Sequence, residues 1–114
     1  MNTKVRDVDG ICVLDINGKI MGGPDAEAFH SLIKGLLGEK KKRILVNLGR
    51  VNWINSTGLG ILIAGYTSVK DADGQFKLVN VSDRIESILM VTKLSGIFDA
   101  YDDMDEALAS FQDQ

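Results

Sequence analysis

The sequence is poor in residues that bind metals or form disulfides, with one cysteine, Cys12, and one histidine, His30, among 114 residues. No intramolecular disulfide can form, and the nitrogen and sulfur donors are too few for a structural zinc site. Proline occurs once, at Pro24, and aromatic residues make up 6% of the chain. No apolar run approaches the roughly 20 residues that span a bilayer. The opening Met1-Asn2-Thr3-Lys4-Val5-Arg6 lacks the apolar core of a secretory signal. These absences predict a cytoplasmic protein with no membrane insertion, no metal and no cofactor. With a single histidine, ordinary catalytic sets shrink to carboxylates, hydroxyls and lysines, and the composition argues against an enzyme.

Against these shortages stand 45% hydrophobic and 25% charged residues, the balance of a soluble globular domain rather than a disordered chain. A chain of this length buries about two-thirds of its unfolded surface and forms a core without staples. With no linker, repeat or low-complexity stretch, residues 1–114 are read as one domain. The net charge of −3 combines two unlike parts. Residues 1–98 carry all thirteen bases against ten acids, a net of +3, and residues 99–114 carry six acids and no base. A nucleic-acid binder would show a clear excess of Lys and Arg on one face. The only basic run, Lys40 to Arg43, follows a helical pattern and reads as a solvated helix end.

The apolar pattern predicts nine elements. Thr3–Val8 and Ile11–Ile16 read as strands joined by Asp9-Gly10, a favoured tight-turn pair. The second is almost continuously apolar, as a strand covered on both faces should be, and Cys12 within it is a small buried hydrophobe. A loop over Asn17–Gly23 ends at Pro24, well placed in the first turn of a helix. Phe29, Leu32, Ile33, Leu36 and Leu37 form one helical stripe, with Gly38 as C-terminal cap and His30 beside the stripe. Arg43–Leu48 is a third strand. Asn55, Ser56 and Thr57 before an apolar run mark the start of a helix that is apolar nearly all round. Asp73-Gly74 turns the chain into a strand over Phe76–Val81. Asp83 with Glu86 predicts a capping box for a helix carrying Ile85, Ile88, Leu89 and Thr92. Gly96 breaks that helix, Ile97–Tyr101 forms a short strand, and Asp103 with Glu106 caps a last helix carrying Ala107, Leu108 and Phe111. The order ββαβαβαβα implies an α/β fold: a mostly parallel sheet, an antiparallel N-terminal hairpin strand at one edge, and about four helices packed on it.

Known enzyme motifs fit poorly. Ser56 is flanked at two residues' distance by Ile54 and Gly58, half of a nucleophile elbow. A dinucleotide fingerprint starting at Gly58 would need a small residue where Ile63 stands, and no P-loop lysine follows Gly65. The carboxylates from Asp102 to Glu106 read as a helix N-terminus complementing its dipole. There remains Asn55-Ser56-Thr57-Gly58-Leu59-Gly60, a hydroxyl pair at a helix start on the carboxyl side of a buried strand. In open parallel sheets, ligands and partners meet the fold at that edge. A phosphate there would add about −1.5 to −2 charges. The same residues also fit a plainer role, with Ser56 or Thr57 as helix cap and the glycines as packing elements.

This string resembles the Asp-Ser-Ser/Thr-Gly-Leu-Gly signature of the STAS domain family, the bacterial anti-sigma factor antagonists. The resemblance extends over Ile44–Ile54, Leu94-Ser95-Gly96-Ile97-Phe98 and Asp105-Glu106-Ala107-Leu108, and the family shares the element order. It implies a STAS-like fold and a non-enzymatic regulator. In that family the unphosphorylated form binds an anti-sigma factor of the serine-kinase type and frees the sigma factor. The kinase phosphorylates the first serine of the motif, here Ser56, and a PP2C-type phosphatase reverses the reaction. Two features depart from the pattern: Asn55 stands where the family has an acid, and Gly18-Lys19-Ile20-Met21 replaces its Gly-Glu-Leu/Ile-Asp stretch, so the rim is less acidic.

The expected docking surface comprises Lys19, Ile20, Met21, Gly22 and Gly23, then Asn55, Ser56, Thr57, Gly58, Leu59 and Gly60, and finally Asn80, Ser82 and Asp83. A monomer in isolation is expected. An alternative from the same resemblance is an unphosphorylated STAS subunit of a signalling scaffold or lipid-transport complex. A small hydrolase using Ser56 would instead require a base within hydrogen-bond reach.

Overall fold

The computed structural model describes residues 1–91 and 96–111. Thr92, Leu94 and Ser95, which figured in the sequence reading, lie outside them. Strands β1 (Asn2–Val8) and β2 (Ile11–Ile20) form the opening hairpin. Asp9 and Gly10 both take left-handed φ values, 54° and 83°, the geometry of a turn whose twist matches its strands. Then follow α1 (Pro24–Gly38), β3 (Arg43–Ile54), α2 (Ser56–Asp71), β4 (Gln75–Val79), α3 (Asp83–Val91), β5 (Asp99–Tyr101) and α4 (Met104–Phe111). The sheet order is β1-β2-β3-β4-β5, with β1 antiparallel to β2 and the other pairs parallel. This is the α/β architecture that the alternation of elements predicts.

The continuous apolar run of β2 serves two cores. Cys12, Leu14 and Ile16 point into a large cluster with Phe29 and Ile33 of α1, Leu59 and Leu62 of α2, and Ile85 and Leu89 of α3. Ile11 and Val13 point the other way, against Leu45, Val79, Ala107 and Phe111 beneath α4. Cys12 is buried, and burial pushes its thiol pKa up, which keeps it in the unreactive thiol form. His30 is exposed beside the α1 stripe. The α4 side also holds the buried Lys77, whose Nζ donates to the Ser110 carbonyl and hydroxyl at 3.2 and 3.0 Å and lies 4.7 Å from the Phe111 ring. Its charge is thus compensated where its stem is packed.

Several boundaries move, each for a local reason. The stretches after Ile16 and Leu48 are strand: β2 runs on to Ile20 and β3 to Ile54, paired as Asn17↔Arg50, Lys19↔Trp53 and Ile20↔Ile54. Irregularities at Asp15/Asn17 and Gly18/Lys19 interrupt the alternation that would have signalled them. Strand β4 stops at Val79 because Asn80 turns left-handed, at φ 58°. β5 begins at Asp99, after Ile97 and Phe98. Gly38 is the last residue of α1 rather than its cap. The left-handed position falls on Lys40, φ 62°, where Lys40 and Lys41 donate backbone hydrogen bonds to Leu37 and Leu36, closing the turn as a Schellman motif. α3 is capped not by Asp83 but by Ser82, whose hydroxyl accepts from the Ile85 N–H at 3.3 Å. Asp103 does cap α4, accepting from Asp105 N–H at 2.9 Å. Finally, α2 is not buried all round: Gly60, Ala64 and Thr67 are exposed.

Candidate functional site

The carboxyl ends of β2, β3 and β4 bring together Met21–Gly23, Asn55–Gly60 and 80–83. Because β4 pairs with β3 only as far as Val79, the ends of β2 and β3 continue past it as a two-stranded ribbon, and α2 starts from that ribbon. The Asn55 N–H donates to the Ile20 carbonyl at 3.4 Å, and the Asn55 side-chain Oδ1 accepts from the Gly58 N–H at 2.7 Å. Asn55 is therefore the N-cap of α2, and the plainer role considered for Ser56 and Thr57 belongs to their neighbour. Ser56 occupies the first helical position with its side chain exposed. Its hydroxyl has no hydrogen-bond partner among the described residues.

The glycines of this turn separate by environment. A Cβ on Gly58 would run into the backbone carbonyl of Ile20, so Gly58 lets the helix start approach the end of β2. A Cβ on Gly60 would meet nothing within 4 Å. Gly22, at φ 102°, lies against the methyl of Thr57 and seats the preceding loop on the first turn of α2.

The matching family model is the STAS domain, over residues 2–107. The chain belongs to the STAS domain family. Among curated relatives, a Thermotoga neapolitana protein is 37% identical over 70 residues, 61% of this chain and 62% of that protein. The anti-sigma-B factor antagonist of Bacillus subtilis is 32% identical over 87 residues, covering 75% of this chain and 80% of the relative. Among solved structures, the Bacillus anti-sigma factor antagonist SpoIIAA shares the fold at low identity. Its unphosphorylated form superposes with TM-score 0.72, 16% identity and 97% and 98% coverage of the two chains. Its phosphorylated form gives TM-score 0.75, 17% identity and 96% and 99% coverage.

Within this STAS domain the proposed docking residues fall into three groups. Lys19, Met21, Ser56, Thr57, Gly60 and Asp83 are exposed, while Gly22 and Asn55 are partly so and Gly23 is exposed in the loop. Ile20, Gly58 and Leu59 are buried and shape the surface from beneath. Asn80 and Ser82 spend their side chains locally: Asn80 Nδ2 donates to Asn47 Oδ1 at 3.0 Å, and Ser82 caps α3. The sequence reading missed Trp53 and Arg84. Trp53 is 40% exposed and Met21 47% exposed, and they line a groove of about 550 Å³ with Lys19, Asn52 and Arg84. The Arg84 guanidinium sits 5.3 Å from the Trp53 ring centroid, a cation–π distance. An exposed tryptophan just before the Asn55 cap was the available signal, but reading residues 49–54 as a connection hid its strand alternation.

The single histidine, His30, lies along α1 and borders a small groove with Thr57 and Gly60, a groove that Ser56 does not line. Among the described residues, no three His, Cys, Asp or Glu side chains are grouped to hold a metal ion, and no helix is long and apolar enough to cross a membrane.

Proposed function

We propose that this STAS domain is an anti-sigma factor antagonist that docks, unphosphorylated, on an anti-sigma factor of the serine-kinase type and is switched off by phosphorylation at Ser56. The observation that carries this reading is the division of labour at the start of α2. Asn55 satisfies the helix terminus, so the exposed Ser56 hydroxyl is left without a structural duty. Asn and Asp cap helices about equally well, so Asn55 in place of the family's acid keeps the turn while removing a charge. A phosphate on Ser56 would meet the favourable end of the α2 dipole, and the fold would tolerate it. The same −1.5 to −2 charges, by the usual second phosphate pKa, would face a docked partner. The SpoIIAA structures in both phosphorylation states support the reading as a property of that relative. Release of phosphate by a PP2C-type phosphatase would restore the binding form, and the domain's output is docking rather than catalysis.

The decisive experiment is a pull-down with the anti-sigma factor kinase encoded in the same organism, comparing wild type, Ser56→Ala and Ser56→Asp, with intact-mass analysis after incubation with ATP. Wild type and Ser56→Ala should be retained, Ser56→Asp should lose most binding, and only wild type should gain the mass of one phosphate. Equal retention of all three would overturn the switch. A second reading, an unphosphorylated STAS subunit of a larger scaffold or lipid-transport complex, is favoured by the reduced acidity around Ser56, where Asn55, Lys19 and Met21 stand in place of the family's acids. It would be supported by a stable complex in cells whose Ser56 carries no phosphate.

A further inference from the structure

The second face of the sheet is only partly covered. Helix α4 packs on β3, β4 and β5, and the apolar pattern beneath it stops at Val13 of β2 and Leu45 of β3. Beyond those positions lie the polar residues Asn2, Lys4, Asp15, Asn17, Asn47 and Arg50. The register sets Lys4 opposite Asp15, Asn2 opposite Asn17, Asp15 beside Asn47 and Asn17 beside Arg50. These side chains, with Arg6, line a cavity of about 510 Å³, within the size range of small-ligand sites.

A hydrogen-bond network organises its floor. Arg6 of β1 grips the Asp15 carboxylate with Nε and with Nη2, the latter at 3.1 Å. Asn47 donates to the same carboxylate at 2.8 Å and accepts from Gly49 N–H and Asn80 Nδ2, both at 3.0 Å. Asn80 in turn donates its backbone N–H to Tyr101 of β5 at 2.9 Å. The only acid of the cavity is thus neutralised by Arg6 and turned inward to the network. Lys4 and Arg50 are exposed and, among the described residues, have no acidic partner within ion-pair distance. They stand on either side of this fixed floor, together with the side-chain amides of Asn2 and Asn17.

We propose that this uncovered face is a binding site for a small phosphate-bearing ligand, distinct from the Ser56 surface. Lys4 and Arg50 hold the phosphate oxygens, and the amides of Asn2 and Asn17 meet the polar groups attached to them. Charge-assisted hydrogen bonds to phosphate are the strongest that such groups make. The Arg6–Asp15–Asn47 network supplies rigidity, because a site whose floor is already bonded loses little freedom on binding. An acidic protein segment would satisfy the same cations. The polar lining of the cavity and a floor already fixed by the Arg6–Asp15–Asn47 network favour a compact ligand.

The test is a heteronuclear NMR titration of the full chain with inorganic pyrophosphate and with ribose 5-phosphate at low salt, using a hexaglutamate peptide as competitor. Saturable shifts confined to the backbone around residues 2–6, 15–17 and 47–50 are expected. Lys4→Gln and Arg50→Gln should each weaken binding about three- to tenfold, in keeping with the loss of one charged hydrogen bond. Both residues are exposed, so the variants should keep the wild-type spectrum elsewhere, and Arg84→Gln should bind as wild type. Three results would each overturn the proposal: no saturable shift with either phosphate compound, equal weakening by Arg84→Gln, or tighter binding of hexaglutamate than of either phosphate compound at these residues. Because Ser56 is not involved, the outcome is independent of the kinase pull-down.

Discussion

The surfaces of this domain that are closed by packing and those left open obey different rules. Under α1, α2 and α3 the central strands β2, β3 and β4 are apolar and buried, and there the side chains are specified by volume. On the opposite face the rule changes within a single strand: Ile11 and Val13 of β2 are sealed by α4, whereas Asp15 and Asn17, two and four residues further on, are polar and face the open cavity. Helix α2 repeats the contrast on a smaller scale. Gly58 faces inward against the Ile20 carbonyl, and Gly60, two residues later, faces empty space. Closed surfaces account for the fold, whereas the open ones carry exposed hydroxyl, aromatic and cationic side chains: Ser56, Trp53, Arg84, Lys4 and Arg50.

The contrast can be broken by paired substitutions. The largest effect is expected from Leu14→Ala, which removes a fully buried side chain and should cost about 2–5 kcal/mol. Asn17→Ala, on the open face of the same strand, should stay within about 0.5 kcal/mol. Urea unfolding of both variants checks this, and comparable losses would erase the distinction between the faces. Next, Gly58→Ala should destabilise by about 1–3 kcal/mol through forced displacement of the Ile20 backbone. Gly60→Ala should instead stabilise by up to about 1 kcal/mol, since alanine is the better helix former and its methyl has room. Thermal unfolding should move the midpoint in opposite directions for the two.

A smaller effect is expected at the cap. Asn55→Ala should cost about 1 kcal/mol, and Asn55→Asp should be near neutral, again by urea unfolding. A full loss with Asn55→Asp would mean that the amide does more than accept from Gly58. The smallest effect concerns Asp15. Burial pushes its pKa up, but the hydrogen bonds from Arg6 and Asn47 and the positive charges of Arg6 and Arg50 outweigh this and hold it below the ordinary carboxylate value. A carboxylate with a lowered folded-state pKa stabilises the fold above its unfolded value, near 4, and loses that contribution as pH falls through the folded one. Because the Arg6 pair is partly exposed, Asp15→Asn should cost under about 1 kcal/mol at pH 7. The gap to wild type should close as the pH is lowered below about 4. A gap that widens on acidification would show that the ion pair is not its source.

Much of the fold was legible because local rules agreed with the final packing. The Asp9-Gly10 turn, the α1 stripe of Phe29, Ile33 and Leu36, and the doubly buried run of β2 each announce themselves within a few residues. The far ends of β2 and β3 did not, since the irregular register at Asn17–Lys19 breaks the two-residue alternation by which a strand is recognised. For the candidate site, the motif around Ser56 marked the location. The cap, however, fell to Asn55 rather than to a hydroxyl, and α3 took its cap from Ser82 rather than Asp83. Asn, Ser and Asp are all good caps, so local sequence does not rank them, and backbone geometry does.

The succession of elements, the parallel sheet with one antiparallel edge, and the helix start that presents Ser56 follow from local sequence, because periodicity, turns and helix signals act over a few residues. Which polar residues were left over was set by the packing of the folded chain. The packing of distant elements placed Trp53 under Arg84, joined Arg6, Asp15, Asn47 and Asn80 into one network, and left Lys4 and Arg50 outside any ion pair among the described residues. Those relations depend on strand register and on where a short last helix stops covering the sheet, which are distances between residues far apart in the chain.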